Sequence, residues 1–205
     1  MKRVFNYLLE FLILSLCFFS LFSFLMEEGT PNFLYMFRFL TIDSSIFVFM
    51  VVILNIVFRK FQKLSGFLFF LRLSAAITET VIFCVVVFGF FPLAPDSPNI
   101  SDDYMFLMHI IIPILTTIWF FMQEYTSRKI CVRNGLRGTF FIFTYALFVI
   151  PLIISGVISH KYIPYSFLDI YSYPIWYICI SLMIIYLCAF LLSLFFLKIF
   201  NKKQN

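Results

Sequence analysis

The side chains of this 205-residue chain that could do chemistry are few, and two of them, Thr41 and His109, stand in matching positions. Thr41 falls within FRFLTIDSSIF and His109 within SDDYMFLMHIIIP, each just past the start of a long apolar run. At the helical rise of 1.5 Å per residue, Thr41 is about 6 Å and His109 about 7–8 Å beyond the start of its run. Two runs crossing a membrane in the same direction would bring these side chains to one depth. A Thr hydroxyl is a poor nucleophile until a base removes its proton. A neutral imidazole suits that task, because its pKa lies near the working pH. Pro113, four residues after His109, lacks an N–H and collides with the carbonyl four residues before it. The spacing predicts a bend at His109, with an unpaired carbonyl beside the imidazole that needs a partner or water in a membrane.

Other polar residues share the apolar runs, and each has a structural reading beside the functional one. Ser44 and Ser45 follow Thr41 at helical spacing and share its face, whereas Asp43 points about 200° round the helix. Glu79 lies near the middle of its run, where an isolated carboxylate is expected to be protonated or paired. Arg72 is seven residues earlier, about 10 Å along the axis, so a partner for Glu79 on another helix is expected. Glu10 is a third acid within a run. Thr often bonds back to its own helix, and an intramembrane His can tie helices together by hydrogen bonds. Asp43 and Glu79 can act as such ties or as functional groups, and spacing leaves both readings open. His160 falls in an expected outer loop and reads as solvated. The five cysteines form no CxxC pair. They imply no disulfide framework and no metal site, and nothing in the sequence calls for a cofactor.

The elements that must position these residues are membrane helices. The chain is 63% hydrophobic and only 12% charged, against roughly a quarter charged in a soluble domain. Mean hydropathy is +1.03. A spanning helix needs about 20 mostly apolar residues, and six stretches qualify: 4–26, 37–58, 66–91, 104–122, 138–158 and 174–198. The fold class expected is all-α, one domain over 1–205, a six-helix polytopic membrane bundle. Lys2 and Arg3 before the first run resemble a signal peptide, but no A-x-A-like site follows, so a retained first span is expected. With the N-terminus inside, 13 of the 15 basic residues lie on the cytoplasmic side; Arg38 and Lys161 remain outside with Glu27, Glu28, Asp96, Asp102, Asp103 and Asp169. The positive-inside rule therefore puts both termini in the cytoplasm of a multi-pass cell-membrane protein. The net charge of +5 reads as an insertion signal, not as affinity for nucleic acid. Tyr162, Tyr165, Tyr171, Tyr173 and Trp176 read as an interfacial aromatic belt.

FLTIDSSIF followed by MHIIIP resembles the androgen-induced protein family of small multi-span membrane proteins and its bacterial relatives. The resemblance runs from about residue 37 to 176. Animal members hydrolyse fatty acid esters of hydroxy fatty acids, with an intramembrane Thr as nucleophile and a His as partner. Leu40–Thr41 matches the family's aromatic-or-Leu–Thr motif at the start of a span, and His109 matches the His near the start of a later one. Bacterial relatives show a His-x-x-x-Pro pattern, matched by His109 and Pro113. They also show stretches like LRLSAAITETVIF and YIPYSFLDIYSYP. The chain departs from them at Ser45, where an Asn often stands, and at Trp119 and Gln123, in a region where Asp-Trp is common. The resemblance implies a hydrolase of lipid esters with membrane lipids as its partners and Thr41 and His109 as catalytic residues. Two other readings stay open. A small proton-coupled carrier would use Asp43, Glu79, Arg72 and His109, since intramembrane ionisable groups often mark ion paths, although no inverted repeat is visible. A non-enzymatic scaffold or partner subunit would need none of them. Oligomeric state has no signature in the sequence.

Overall fold

The computed structural model describes residues 2–27, 37–90, 103–123, 130–160, 163, 165 and 168–204. The expected outer loops at 28–36 and 91–102, and Arg128, Lys129, Lys161 and Tyr162, lie outside these. The described elements are helices: α1 (Lys2–Glu27), α2 (Leu40–Phe58), α3 (Ser65–Cys84), α4 (Asp103–Phe106), α5 (Ile112–Met122), α6 (Val132–Gly138), α7 (Phe140–Ile154) and α8 (Ile175–Gln204). No strand occurs among the described residues. Helices are the expected result for such apolar segments, because lipid offers no hydrogen bonds and each backbone group must be satisfied within its own segment. A π-helical stretch, Val85–Phe90, prolongs α3, and a second, Leu107–Ile111, joins α4 to α5.

Among the described residues, five helical segments are long and apolar enough to cross a membrane: Val4–Met26, Leu40–Phe58, Ser65–Phe88, Tyr104–Met122 and Ile175–Lys202. The second starts three residues later than the sequence pattern suggests. The fifth expected span, 138–158, is not one helix. α7 has 15 residues, about 22 Å of rise against a hydrocarbon core of roughly 30 Å. It reaches spanning length only together with α6, from which it is bent by 57°. α6 occupies what looked like loop. After α7 the chain turns at Gly156, whose φ of +75° suits a residue without Cβ.

Side-chain size sets the packing of α6. A Cβ on Gly138 would come within 2.0 Å of Ser193 Oγ, and one on Gly135 within 2.7 Å of the Phe190 ring. Both glycines let α6 lie against the middle of α8. α3 is the central helix and packs against α2, α5, α6, α7 and α8. The first core cluster joins α1, α2 and the α4–α5 span through Ile13, Cys17, Val48, Val52, Met108 and Trp119, all buried. A second joins α3, α5 and α8 through Phe69, Phe120, Phe196 and Phe200, whose rings meet at centroid distances of 5.2–6.0 Å, the offset and edge-on range that aromatic pairs favour.

The first, second and fourth spans are also tied at one end by a buried acid. Glu10 Oε1 accepts from Asn55 Nδ2 at 2.8 Å, Trp119 Nε1 at 3.2 Å and Gln123 Nε2 at 3.4 Å. Its Oε2 accepts from Arg59 Nη2 in an ion pair. The Arg72 guanidinium stands over the Trp119 ring at 5.4 Å. A buried carboxylate is tolerated only when its lone pairs are occupied, and here α2 and α5, with the residues just after them, contribute the donors. Glu10 therefore fixes the register of α1 against α2 and α5. The intramembrane acids are split by role: Glu10 has a full set of partners, and Glu79 does not.

Candidate functional site

Thr41 is in the first turn of α2, and His109 is in the π-helical turn between α4 and α5. Thr41 Oγ1 lies 3.3 Å from His109 Nε2. The other ring nitrogen, Nδ1, is 2.7 Å from the carbonyl oxygen of Met105. A carbonyl can only accept, so Nδ1 carries the hydrogen and Nε2 presents a lone pair to Thr41. The imidazole is thus held in the tautomer a general base needs. The orienting group is the Met105 carbonyl one turn earlier, not the ring's own carbonyl as the Pro113 spacing suggested. Pro113 is buried in the first turn of α5, directly after the π turn, where the Ile112 N–H donates to the Leu107 carbonyl. The helix accommodates the missing proline N–H by widening one turn.

The Thr41 hydroxyl does not cap its own helix; α2 has no side-chain cap at Phe39. The helix start is held by two tyrosines instead. The Tyr165 hydroxyl accepts from Leu40 N at 3.0 Å, and Tyr145 donates to the Arg38 carbonyl. Tyr165, read from the sequence as part of an interfacial belt, reaches in from the α7–α8 connection to the Thr41 hydroxyl. Burial pushes its phenol up to about 12, with hydrogen bonds from Thr41 and the Leu40 and Thr41 backbone N–H groups pulling the other way. It therefore keeps its proton at any working pH. Only its place in a Tyr-rich stretch marked it in the sequence, and a loop residue's reach cannot be read from spacing.

Ser44 Oγ and Ser45 Oγ both donate to the Thr41 carbonyl at 2.9 Å, so they brace the Thr41 backbone. Asp43 has a buried Oδ1 without a hydrogen-bond partner among the described residues. Arg72 sends Nε toward the Leu68 carbonyl at 3.4 Å and belongs to the Glu10 end of the bundle. Glu79 is fully buried. Neither carboxyl oxygen makes a well-formed hydrogen bond among the described residues; the group from another helix that faces it is the Ser44 hydroxyl of α2. His160 is not merely solvated: its Nε2 is 3.1 Å from Asp169 Oδ2. Asp169 also accepts from the backbone N–H groups of Tyr171 and Ser172 at 3.0 and 3.2 Å. Burial pushes its carboxyl up, and hydrogen bonds from Ser172, His160 and these amides together outweigh that and hold it below the ordinary value.

Thr41 and His109 open onto a narrow groove with a cavity volume of about 70 Å³. Tyr145 and Tyr165 are the other lining residues with polar groups; the remainder are Leu, Ile, Val and Ala. The walls come from α3, α7, α8 and Leu168. Along α7 the lining extends from Ile142 to Ile150, about 12 Å of helix. The lining is aliphatic apart from these four polar residues, which are the groups able to fix the orientation of a molecule that enters it. No family model matches the chain, and neither a curated protein nor a solved structure matches it.

Proposed function

We propose that the chain is an intramembrane lipid-ester hydrolase of the cell membrane, with Thr41 as nucleophile, His109 as its base and both termini cytoplasmic. The observation that carries the reading is the tautomer: with Nδ1 bonded to the Met105 carbonyl at 2.7 Å, Nε2 is the acceptor facing Thr41 Oγ1 at 3.3 Å. The resemblance to the androgen-induced protein family assigns the same two residues the same roles. In the first step the Thr41 oxygen bonds to the acyl carbon as its proton passes to His109 Nε2. The ester C–O bond breaks, and the imidazolium returns that proton to the leaving alkoxide. Water, deprotonated by the neutral imidazole, then hydrolyses the acyl-threonine to the free acid. Tyr165 offers an O–H, and the start of α2 a positive helix end, toward charge that builds on the carbonyl oxygen.

Labelling membranes with an electrophilic serine/threonine-hydrolase probe tests the reading. The parent protein labels, Thr41→Ser retains labelling, and Thr41→Val loses it while keeping its shape. Equal labelling of parent and Thr41→Val would end the proposal. The second reading is a proton-coupled carrier built on Asp43, Glu79, Arg72 and His109; of these, His109 lines the groove at Thr41 and the other three do not.

A further inference from the structure

A second groove lies at the other end of α3, and it has a different chemistry. It is an open groove of about 1040 Å³ between the first turns of α3 and helix α6. Phe67, Phe70, Leu71 and Phe140 give it apolar walls, and Arg133 and Arg137 are the charged residues of its lining, with no carboxylate among them. The two arginines are four residues apart on α6 and so share one face. Arg137 is held in place, its guanidinium 4.7 Å from the Phe70 ring centroid and its Nη1 3.4 Å from Asn134 Oδ1. Both arginines are exposed.

The groove is built by the break in the fifth span. The 57° bend between α6 and α7 swings α6 away from the line of α7 and leaves a wedge beside α3. The wedge is braced on both sides. Phe141 N donates to Ser74 Oγ at 3.1 Å, and Gly135 and Gly138 seat α6 on α8. The Thr139 hydroxyl, at the bend, bonds to Tyr186 at 2.9 Å.

We propose that this groove binds one anionic phospholipid, its phosphate on Arg133 and Arg137 and an acyl chain against Phe67, Phe70 and Phe140. Paired guanidiniums suit a phosphate because their forked N–H groups match its oxygens. Basic pockets between membrane helices are a recurring site for acidic headgroups. The apolar wall distinguishes a lipid from a free anion, which would use the arginines alone. The site is separate from Thr41 and does not depend on catalysis.

The test uses the full-length protein purified in neutral detergent. Phosphatidylglycerol, phosphatidylcholine with the same acyl chains, and inorganic phosphate are each titrated while retained lipid and the thermal midpoint are followed. Phosphatidylglycerol is retained and raises the midpoint; phosphatidylcholine and phosphate do neither. In R133Q/R137Q the apparent Kd for phosphatidylglycerol weakens about tenfold or more. In K60Q/K63Q, which removes the same charge from exposed lysines, it is unchanged. Arg133→Gln alone weakens it about fivefold and serves if the double variant folds poorly. Equal binding by the two double variants overturns the proposal, because the attraction is then only net charge. So does equal binding of phosphatidylcholine, or an equal midpoint shift with inorganic phosphate, which would assign the arginines to a free anion.

Discussion

At the scale of single residues, the Thr41–His109 contact acts as one unit or not at all. Removing either partner is expected to lower hydrolysis of a lipid ester by about 10²–10⁴, the usual contribution of a positioned base. Thr41→Val combined with His109→Gln is expected to cost little more than either change alone, since residues that serve one step are strongly non-additive. Steady-state rates of the two single variants and the double variant check this, and additive losses would separate the residues. Tyr165→Phe removes the acceptor for Leu40 N and the O–H beside Thr41, and it leaves the ring. A fall of about 10²–10³ in kcat, the cost of one lost oxyanion donor, is expected with a loss of only about 1 kcal/mol in stability, comparable to losing a helix cap. A large drop in thermal midpoint with an unchanged kcat would make Tyr165 a cap and nothing more. Thr41, His109 and Pro113 stand out in the sequence because polar groups are rare in apolar runs. Tyr165 and Met105 do not: one is a loop aromatic among several, and the other acts through its backbone.

At the scale of elements, the two irregular turns carry more than the regular helices. The π turn at Leu107–Ile111 holds one residue more than an α-turn would, so it sets how far His109 is rotated about the axis. Pro113→Ala restores an N–H and allows ordinary α-winding. Closing the π turn would swing the upstream segment by about 100° relative to α5. Activity is therefore expected to fall by at least tenfold while the thermal midpoint holds or rises; unchanged activity would show that the π turn persists without the proline. The break between α6 and α7 depends on small residues. Gly138→Ala, which collides with Ser193 Oγ, is expected to cost about 1–3 kcal/mol by overpacking. Ser193→Ala in the same chain is expected to recover part of it, as read by thermal unfolding in detergent. Helix positions follow from hydropathy alone: five of the six expected spans appear, the first and fourth with the expected bounds and the second, third and sixth with shifted ends. The bend in the fifth does not, because hydropathy reports what lipid tolerates and the bend comes from a contact between Gly138 and a helix more than fifty residues away.

At the scale of the whole molecule, charge and packing divide the bundle. Arg59, Arg72, Arg133 and Arg137 belong to the end of the bundle where α2 finishes and α3 begins, and Thr41, His109 and Tyr165 belong to the other. If that basic end is cytoplasmic, as the positive-inside rule proposes, Cys131 beside Arg133 reacts with a membrane-impermeant thiol reagent in inverted vesicles and stays unmodified in intact cells. A chain retaining only Cys131 reads this out by mass, and modification from outside would invert the topology. The buried Glu10 network was not legible in advance. Its members Asn55, Arg59, Trp119 and Gln123 are scattered over the sequence, and only the packing of three helices brings them together. The two tyrosines that hold the start of α2 have a consequence for the order of synthesis. Spans two and four supply Thr41 and His109, so a ribosome that has reached residue 130 has already made both halves of the pair. Tyr145, Tyr165, Leu168 and the α7 and α8 walls come later. A nascent chain therefore carries the pair before its groove has walls, and the last third of translation is what supplies them.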